Sequence, residues 1–160
     1  MVSKKELSEL LFEGKPTYYY FDTDVARHYC FDSEIDFTAY KISNYQNEQL
    51  LWFANDLLTN SQMHSSIFIH IPTVKKSLTP FMKTLGTIVE AYNSKTDIVI
   101  MNTSFDYRWT EGKIDFFQAG HTHEDINDLK CGSIPVIVTR NFPSTSGGKE
   151  PLFDIINVNY

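Results

Sequence analysis

The chain has little of what several common kinds of protein require. It has two cysteines, Cys30 and Cys131, far apart in sequence and in no C-x-x-C pair. Two reduced, buried thiols in a cytoplasmic protein are therefore favoured over a disulfide or a zinc clip. It has no cluster of Lys and Arg, and the formal net charge is −6. That balance argues against a protein that grips a nucleic-acid backbone by charge. A phosphate-bearing substrate stays compatible with it, because a bound cation supplies positive charge locally. No apolar run approaches the ~20 residues of a membrane span, and the opening "MVSKKELSEL" lacks the apolar centre of a secretion leader. A cytoplasmic protein without membrane contact is expected. Internal repeats and low-complexity segments are absent as well.

What is present fits an ordinary folded domain. The 160 residues are 42% hydrophobic and 21% charged, within the range of globular chains. One domain over residues 1–160 is expected at this length, with about two thirds of the unfolded surface buried. Aromatic residues reach 14%, including 12 Phe and 9 Tyr, a bias toward strands and large apolar contacts.

Local signals divide the chain into elements. Leu7, Leu10 and Leu11 recur at helical spacing in "SKKELSELLFE", a short helix closed by Gly14 and Pro16. "TYYYFD" and "ARHYCFDS" read as two antiparallel strands, followed by a loop over "DSEIDFTAYK". Ser43 and Gln46 form a capping box before "QLLWFANDLL". Leu50, Leu51, Ala54, Leu57 and Leu58 make its apolar face, which Trp52 and Phe53 widen. "SSIFIHIP" is a buried strand, and Thr79 with Pro80 opens a second strong helix that runs to about Ala91 or Tyr92. "DIVIMN", "KIDFFQAG", "SIPVIVTR" and "LFDIINVN" read as further strands. "SFDYRW" either pairs back on the first of these or forms a lip, and "FPSTSGGKEP" is a turn-rich loop. Strands and helices do not alternate strictly. The pattern predicts an α+β or layered α/β domain with a mixed, mostly antiparallel sheet and flanking helices.

Chemistry concentrates on histidine. His28 lies in a strand of alternating polarity and His64 in a linker, where a surface or hydrogen-bonded structural role is the ordinary reading. His70 ends an apolar strand, and alone it too is an ordinary core-edge residue. "KIDFFQAGHTHEDI" changes its weight. Here a strict apolar run stops at Gly120, and His121 and His123 follow at a spacing that puts both side chains on one side of an extended segment. Two such imidazoles suit one divalent metal or two adjacent ones, with manganese, zinc, iron, cobalt or nickel all acceptable. Asp125 or Glu124 can add an oxygen ligand, although a solvated or structural loop carboxylate is the ordinary reading of Asp125. A polar turn after a strand is the plain alternative to a metal site.

The order of these segments resembles the calcineurin-like metallophosphoesterases, phage and bacterial members above all. "YYYFD", "ARHYCFDS", "SNYQNEQLLWFANDLL", "SSIFIHIP", "AYNSKTDIVIMNTSFDY", "GKIDFFQAGHTH" and "FDIINVN" follow that family's C-terminal half in sequence, over nearly the whole chain. The resemblance implies half of a two-sheet sandwich flanked by helices and a two-metal hydrolysis of phosphate monoesters or diesters. By motif, His70 and His121 resemble ligands of the second metal and His123 a ligand of the first. The family's D-x-H, G-D-x-x-D and G-N-H-D/E motifs do not occur here. The metal-bridging aspartate, the asparagine ligand and the leaving-group histidine are therefore missing, and no catalytic residue is assigned. By this resemblance the chain is expected to begin just after the point where G-N-H-D/E would end.

Three imidazoles offset none of the repulsion between two close dications, so the chain alone is expected to hold one weakly bound metal or none. Half a sandwich exposes an apolar sheet face, which predicts a homodimer or a separately encoded N-terminal half as partner. Two functions follow from the resemblance. One is a truncated phosphoesterase, inactive or weakly active alone. The other is a non-catalytic binding or structural module. A small α+β binding domain with incidental histidines is a third reading, and it leaves the motif order unexplained.

Overall fold

The computed structural model describes residues 6, 9, 10, 13–33, 41–74, 77–121, 126 and 128–139. Its elements, in chain order, are β1 (Tyr19–Asp22), β2 (Ala26–Phe31), α1 (Asn44–Asp56), β3 (His64–Ile69), β4 (Thr73–Val74), β5 (Ser77–Leu78), α2 (Pro80–Asn93), β6 (Asp97–Ile100), β7 (Thr103–Asp106), β8 (Lys113–Ala119), β9 (Lys130–Cys131) and β10 (Ile134–Val138). Of the short helix expected over 3–13, Glu6, Glu9, Leu10 and Glu13 are described; the first three are helical, and Glu13 lies in a turn with φ +53°. Of the loop expected over 32–41, residues 34–40 lie outside the described residues, as does the last expected strand, "LFDIINVN".

Both strong helix starts form as their caps dictate. The Ser43 side chain accepts the Gln46 N–H while the Gln46 side chain accepts the Ser43 N–H, and Thr79 caps α2 with Pro80 in its first turn. The apolar face of α1 differs from the expected one. Leu58 lies beyond the helix and is 39% exposed, whereas Gln46 and Gln49 face inward. The helix stops at Asp56, so Leu58 falls off the helical face that the spacing assumed.

The principal sheet runs in the order β1-β2-β3-β8-β10-β9. β2, β3, β8 and β10 are mutually parallel, and β1 and β9 add antiparallel edges. Two further hairpins, β4/β5 and β6/β7, are antiparallel. The fold is thus α+β with a mixed sheet. Among the described residues antiparallel ladders outnumber parallel ones four to three, but the centre of the principal sheet is parallel. The β6/β7 hairpin turns through Met101 and Asn102, both with positive φ, as a two-residue turn between twisted strands requires.

Register builds the core. Tyr29, Ile67, Phe117 and Val136 form one row across the four parallel strands, and Phe31, Ile69, Ala119 and Val138 form the next. All eight are buried. Phe31 meets Phe53 of α1 at 5.3 Å between ring centroids and Phe81 of α2 at 5.8 Å, so both helices cover the same face. Topology explains this. β2, β3 and β8 advance across the sheet in one direction, and right-handed crossovers that advance one way keep their helices on one side. The opposite face carries the row Cys30, Phe68, Gln118 and Ile137, none of them buried, with Tyr19 and Phe21 exposed on β1.

Arg27 ties one end of the sheet to α1. It holds Asp22 through Nε and Nη2 and Asp56 through Nη1, each at 2.8–2.9 Å, and its guanidinium lies 3.7 Å over the Tyr20 ring. The Tyr29 hydroxyl donates to the same Asp56 carboxylate at 2.7 Å.

Candidate metal site

Phe31, Ile69, Ala119 and Val138 share one row, so the residues after them share the carboxyl edge of the parallel strands. Those residues are Asp32, His70, Gly120 followed by His121, and Thr139. In open α/β sheets this edge is where loops carry ligand-binding groups. The strand pairing therefore brings together His70 and His121, 51 residues apart in the numbering.

Their imidazole centroids are 5.4 Å apart with the rings nearly perpendicular, at 82°. His70 is exposed and His121 half-buried. The Gly120 N–H donates to the His70 carbonyl at 3.2 Å. A Cβ on Gly120 would stand 3.4 Å from His70 Nδ1, an ordinary contact distance, so the His70 imidazole lies directly beside the Gly120 backbone. His121 adopts φ +72°, a left-handed conformation that costs a non-glycine residue about 1–3 kcal/mol and that collects at functional sites.

The centroid separation by itself is compatible with one shared cation. A metal–nitrogen bond of about 2.0–2.1 Å places each ring centroid roughly 3.2 Å from the ion, and a tetrahedral angle then separates the centroids by about 5 Å. His123, the third expected ligand, lies outside the described residues, as do Glu124 and Asp125. Among the described residues no group of three or more His, Cys, Asp or Glu side chains is placed to hold an ion. Asp32 stands in the strand-end row, but one of its carboxylate oxygens accepts the Thr17 hydroxyl at 2.6 Å. Beside His70 opens a cleft of about 290 Å³ lined in part by Cys30, Phe68, Gln118 and Thr139. Burial pushes the Cys30 thiol above its ordinary pKa, which keeps it protonated near neutrality.

The remaining described histidines stand apart from this site. His64 is not in a linker; it opens β3, and its Nδ1 is 2.9 Å from Asp115 Oδ2. Lys113 Nζ contacts the other Asp115 oxygen. Asp115 is the extra residue where the β3/β8 register shifts, which brings its carboxylate within reach. Six residues of strand put His64 about 20 Å from His70. His28 Nδ1 lies 2.8 Å from the Ser66 hydroxyl, with its ring against Phe21 and Phe68, and burial lowers its pKa. Both are satisfied structural histidines.

Two residues at the site escaped the sequence reading. The Ser33 hydroxyl oxygen accepts the backbone N–H groups of His70 and Ile71 at 2.8 and 3.0 Å. The Gln49 amide brackets Asp32, accepting its N–H at 2.9 Å and donating to its carbonyl at 3.1 Å. A polar residue on the inward face of α1 was the only local sign of this bracket.

A scan against protein-family models and a search of curated proteins each gave no match to this chain.

Proposed function

We propose that this chain is the histidine-bearing half of a metal-dependent phosphoesterase of the calcineurin-like type. One observation carries the reading: pairing of parallel strands brings His70 and His121 to one edge at a spacing suited to a shared cation. The order of motifs around them supports it. His70, His121 and, by motif, His123 would hold the metal through neutral imidazole nitrogens. A divalent cation there would polarise a phosphoryl oxygen and make water more acidic. The chain's own contribution is to hold the imidazoles: the His70 carbonyl is fixed by the Gly120 N–H, and His121 is turned by its left-handed backbone.

No carboxylate in the described residues joins the pair, and the family's carboxylate motifs do not occur in the sequence. In this reading the carboxylates come from a second polypeptide segment, and the chain alone is a metal-binding module with little or no turnover. The partly uncovered sheet face is where a second copy or that second segment would pack. Parallel sheets are ordinarily covered on both faces.

Calorimetric titration with Zn²⁺, Mn²⁺ or Ni²⁺ tests the site. One ion is expected to bind, and His70→Ala or His121→Ala is expected to abolish binding. Binding that survives both changes would overturn the assignment. Hydrolysis of bis-p-nitrophenyl phosphate with added metal should stay at background. Turnover that disappears in His123→Ala would show instead that the isolated chain is a complete enzyme.

A further inference from the structure

We infer that Ser33 is the positioning residue for His70, anchored from helix α1 by Gln49. This rests on the metal-site reading above and adds to it the residues that hold the site in place.

Ladder pairing between β2 and β3 ends at Phe31 and Ile69. Beyond that row, β3 continues as His70 and Ile71, whose N–H groups have lost a strand partner. One hydroxyl oxygen, Ser33 Oγ, replaces it and accepts both donors at 2.8 and 3.0 Å. A hydroxyl oxygen has two lone pairs, and these two bonds use both. On the other side of β3 the His70 carbonyl accepts the Gly120 N–H at 3.2 Å. His70 is thereby held through its N–H toward β2 and through its C=O toward β8, which fixes the direction in which its imidazole leaves the edge.

Ser33 is itself held. The preceding residue, Asp32, has both its N–H and its C=O bound by the Gln49 side chain. Gln49 is fully buried at 0% exposure, so its amide has no competing water and mimics a strand neighbour for one residue. Hydrogen bonds join Gln49 to Asp32, Ser33 to His70 and Gly120 to His70, and the Asp32–Ser33 peptide bond connects the first pair to the second; Gly120 is next to His121. These links join a helix, two strand ends and the glycine turn. A mere surface loop contact would need neither the buried amide nor both N–H groups on one oxygen.

Metal ligands are oriented by groups that do not touch the ion, and loss of such a group typically costs about 10–100-fold in affinity. The test compares Zn²⁺ affinity of the whole chain with Ser33→Ala and Ser33→Thr. Ser33→Ala is expected to weaken binding by about 10–100-fold. Ser33→Thr, which keeps the hydroxyl, is expected to stay within about threefold of the unaltered chain. Tyr107→Phe removes a distant buried hydrogen bond from Tyr107 Oη to the Ala54 carbonyl and should lower stability with affinity unchanged. Equal affinity in Ser33→Ala and the unaltered chain overturns the proposal, and so does equal loss in the Ala and Thr variants. If Ser33→Ala does not fold, amide hydrogen exchange in the unaltered chain decides. His70 and Ile71 should be protected like strand interiors, and rapid exchange at both removes the Ser33 contact. If the unaltered chain takes up no Zn²⁺, the metal reading falls, and the exchange measurement still decides whether Ser33 holds the His70 turn.

Discussion

At the scale of single residues, most polar groups that this fold buries are paired. Gln49 brackets Asp32, the Asn93 amide bonds both the N–H and the C=O of Ile114, and the Tyr107 hydroxyl reaches the Ala54 carbonyl. Tyr92 is an exception. Its ring is fully buried and packs at right angles to Tyr107, but its hydroxyl makes no hydrogen bond among the described residues. Burial pushes its pKa up to about 12. A buried polar atom without a partner costs about 1–3 kcal/mol relative to a paired one. Tyr92→Phe deletes that atom and keeps the ring, so it should raise unfolding free energy by about 1 kcal/mol in urea titration. A loss of similar size would show that the hydroxyl does have a partner. The same principle, applied at the sheet edge, explains why Ser33 and Gln49 are polar: the groups they satisfy have left the ladder.

At the scale of elements, close approach between α2 and β9 depends on one glycine. A Cβ on Gly86 would stand 2.4 Å from Cys131 Sγ, inside any real contact distance. Cys131 is buried, and its thiol donates to the Met82 carbonyl at 3.0 Å, so the sulfur sits in the groove that the glycine opens. Burial raises its pKa to about 11 and keeps it a thiol. Gly86→Ala should destabilise the fold by about 1–3 kcal/mol through overpacking. Cys131→Ala removes the obstructing atom and leaves a small void that the new methyl can fill. The double variant should therefore be more stable than the sum of the two single changes predicts. Strict additivity in a double-mutant cycle would mean that the helix moves away instead of meeting the sulfur. Helix starts were legible for a local reason. Ser43 with Gln46, and Thr79 with Pro80, act within one helical turn, and both helices start where those residues say. The face of α1 was less legible, because whether Leu58 or Gln49 turns inward depends on where the helix stops and on what lies opposite.

At the scale of the whole molecule, winding direction has the largest consequence. Crossovers that advance one way across the sheet leave Phe68 at 36% exposure, Phe21 at 46% and Tyr19 at 50% on the face that neither α1 nor α2 covers. If that face receives a partner sheet or a second copy, Phe68→Glu should abolish association in sedimentation velocity. The change should barely alter the far-UV circular dichroism, because the core lies on the other face. A monodisperse monomer before the change would remove the need for a partner. Among the described residues no helix is long and apolar enough to cross a membrane, in line with the absence of long apolar runs in the sequence. Local chemistry by itself determined where α1 and α2 begin, that the runs forming β1, β2, β3, β6, β8 and β10 are strands, and that the segment at Gly120 carries imidazoles after a buried strand. These signals act over a few residues, so neighbours in sequence suffice to set them. Only the tertiary structure decided that four strands run parallel, that their ends fall on one row, and that His70 therefore faces His121. It also decided that Ser33, 37 residues before His70, supplies the missing strand partner. Those outcomes depend on pairing between segments distant in the chain, where the free energy of the whole sheet and core, not any local pattern, selects the register.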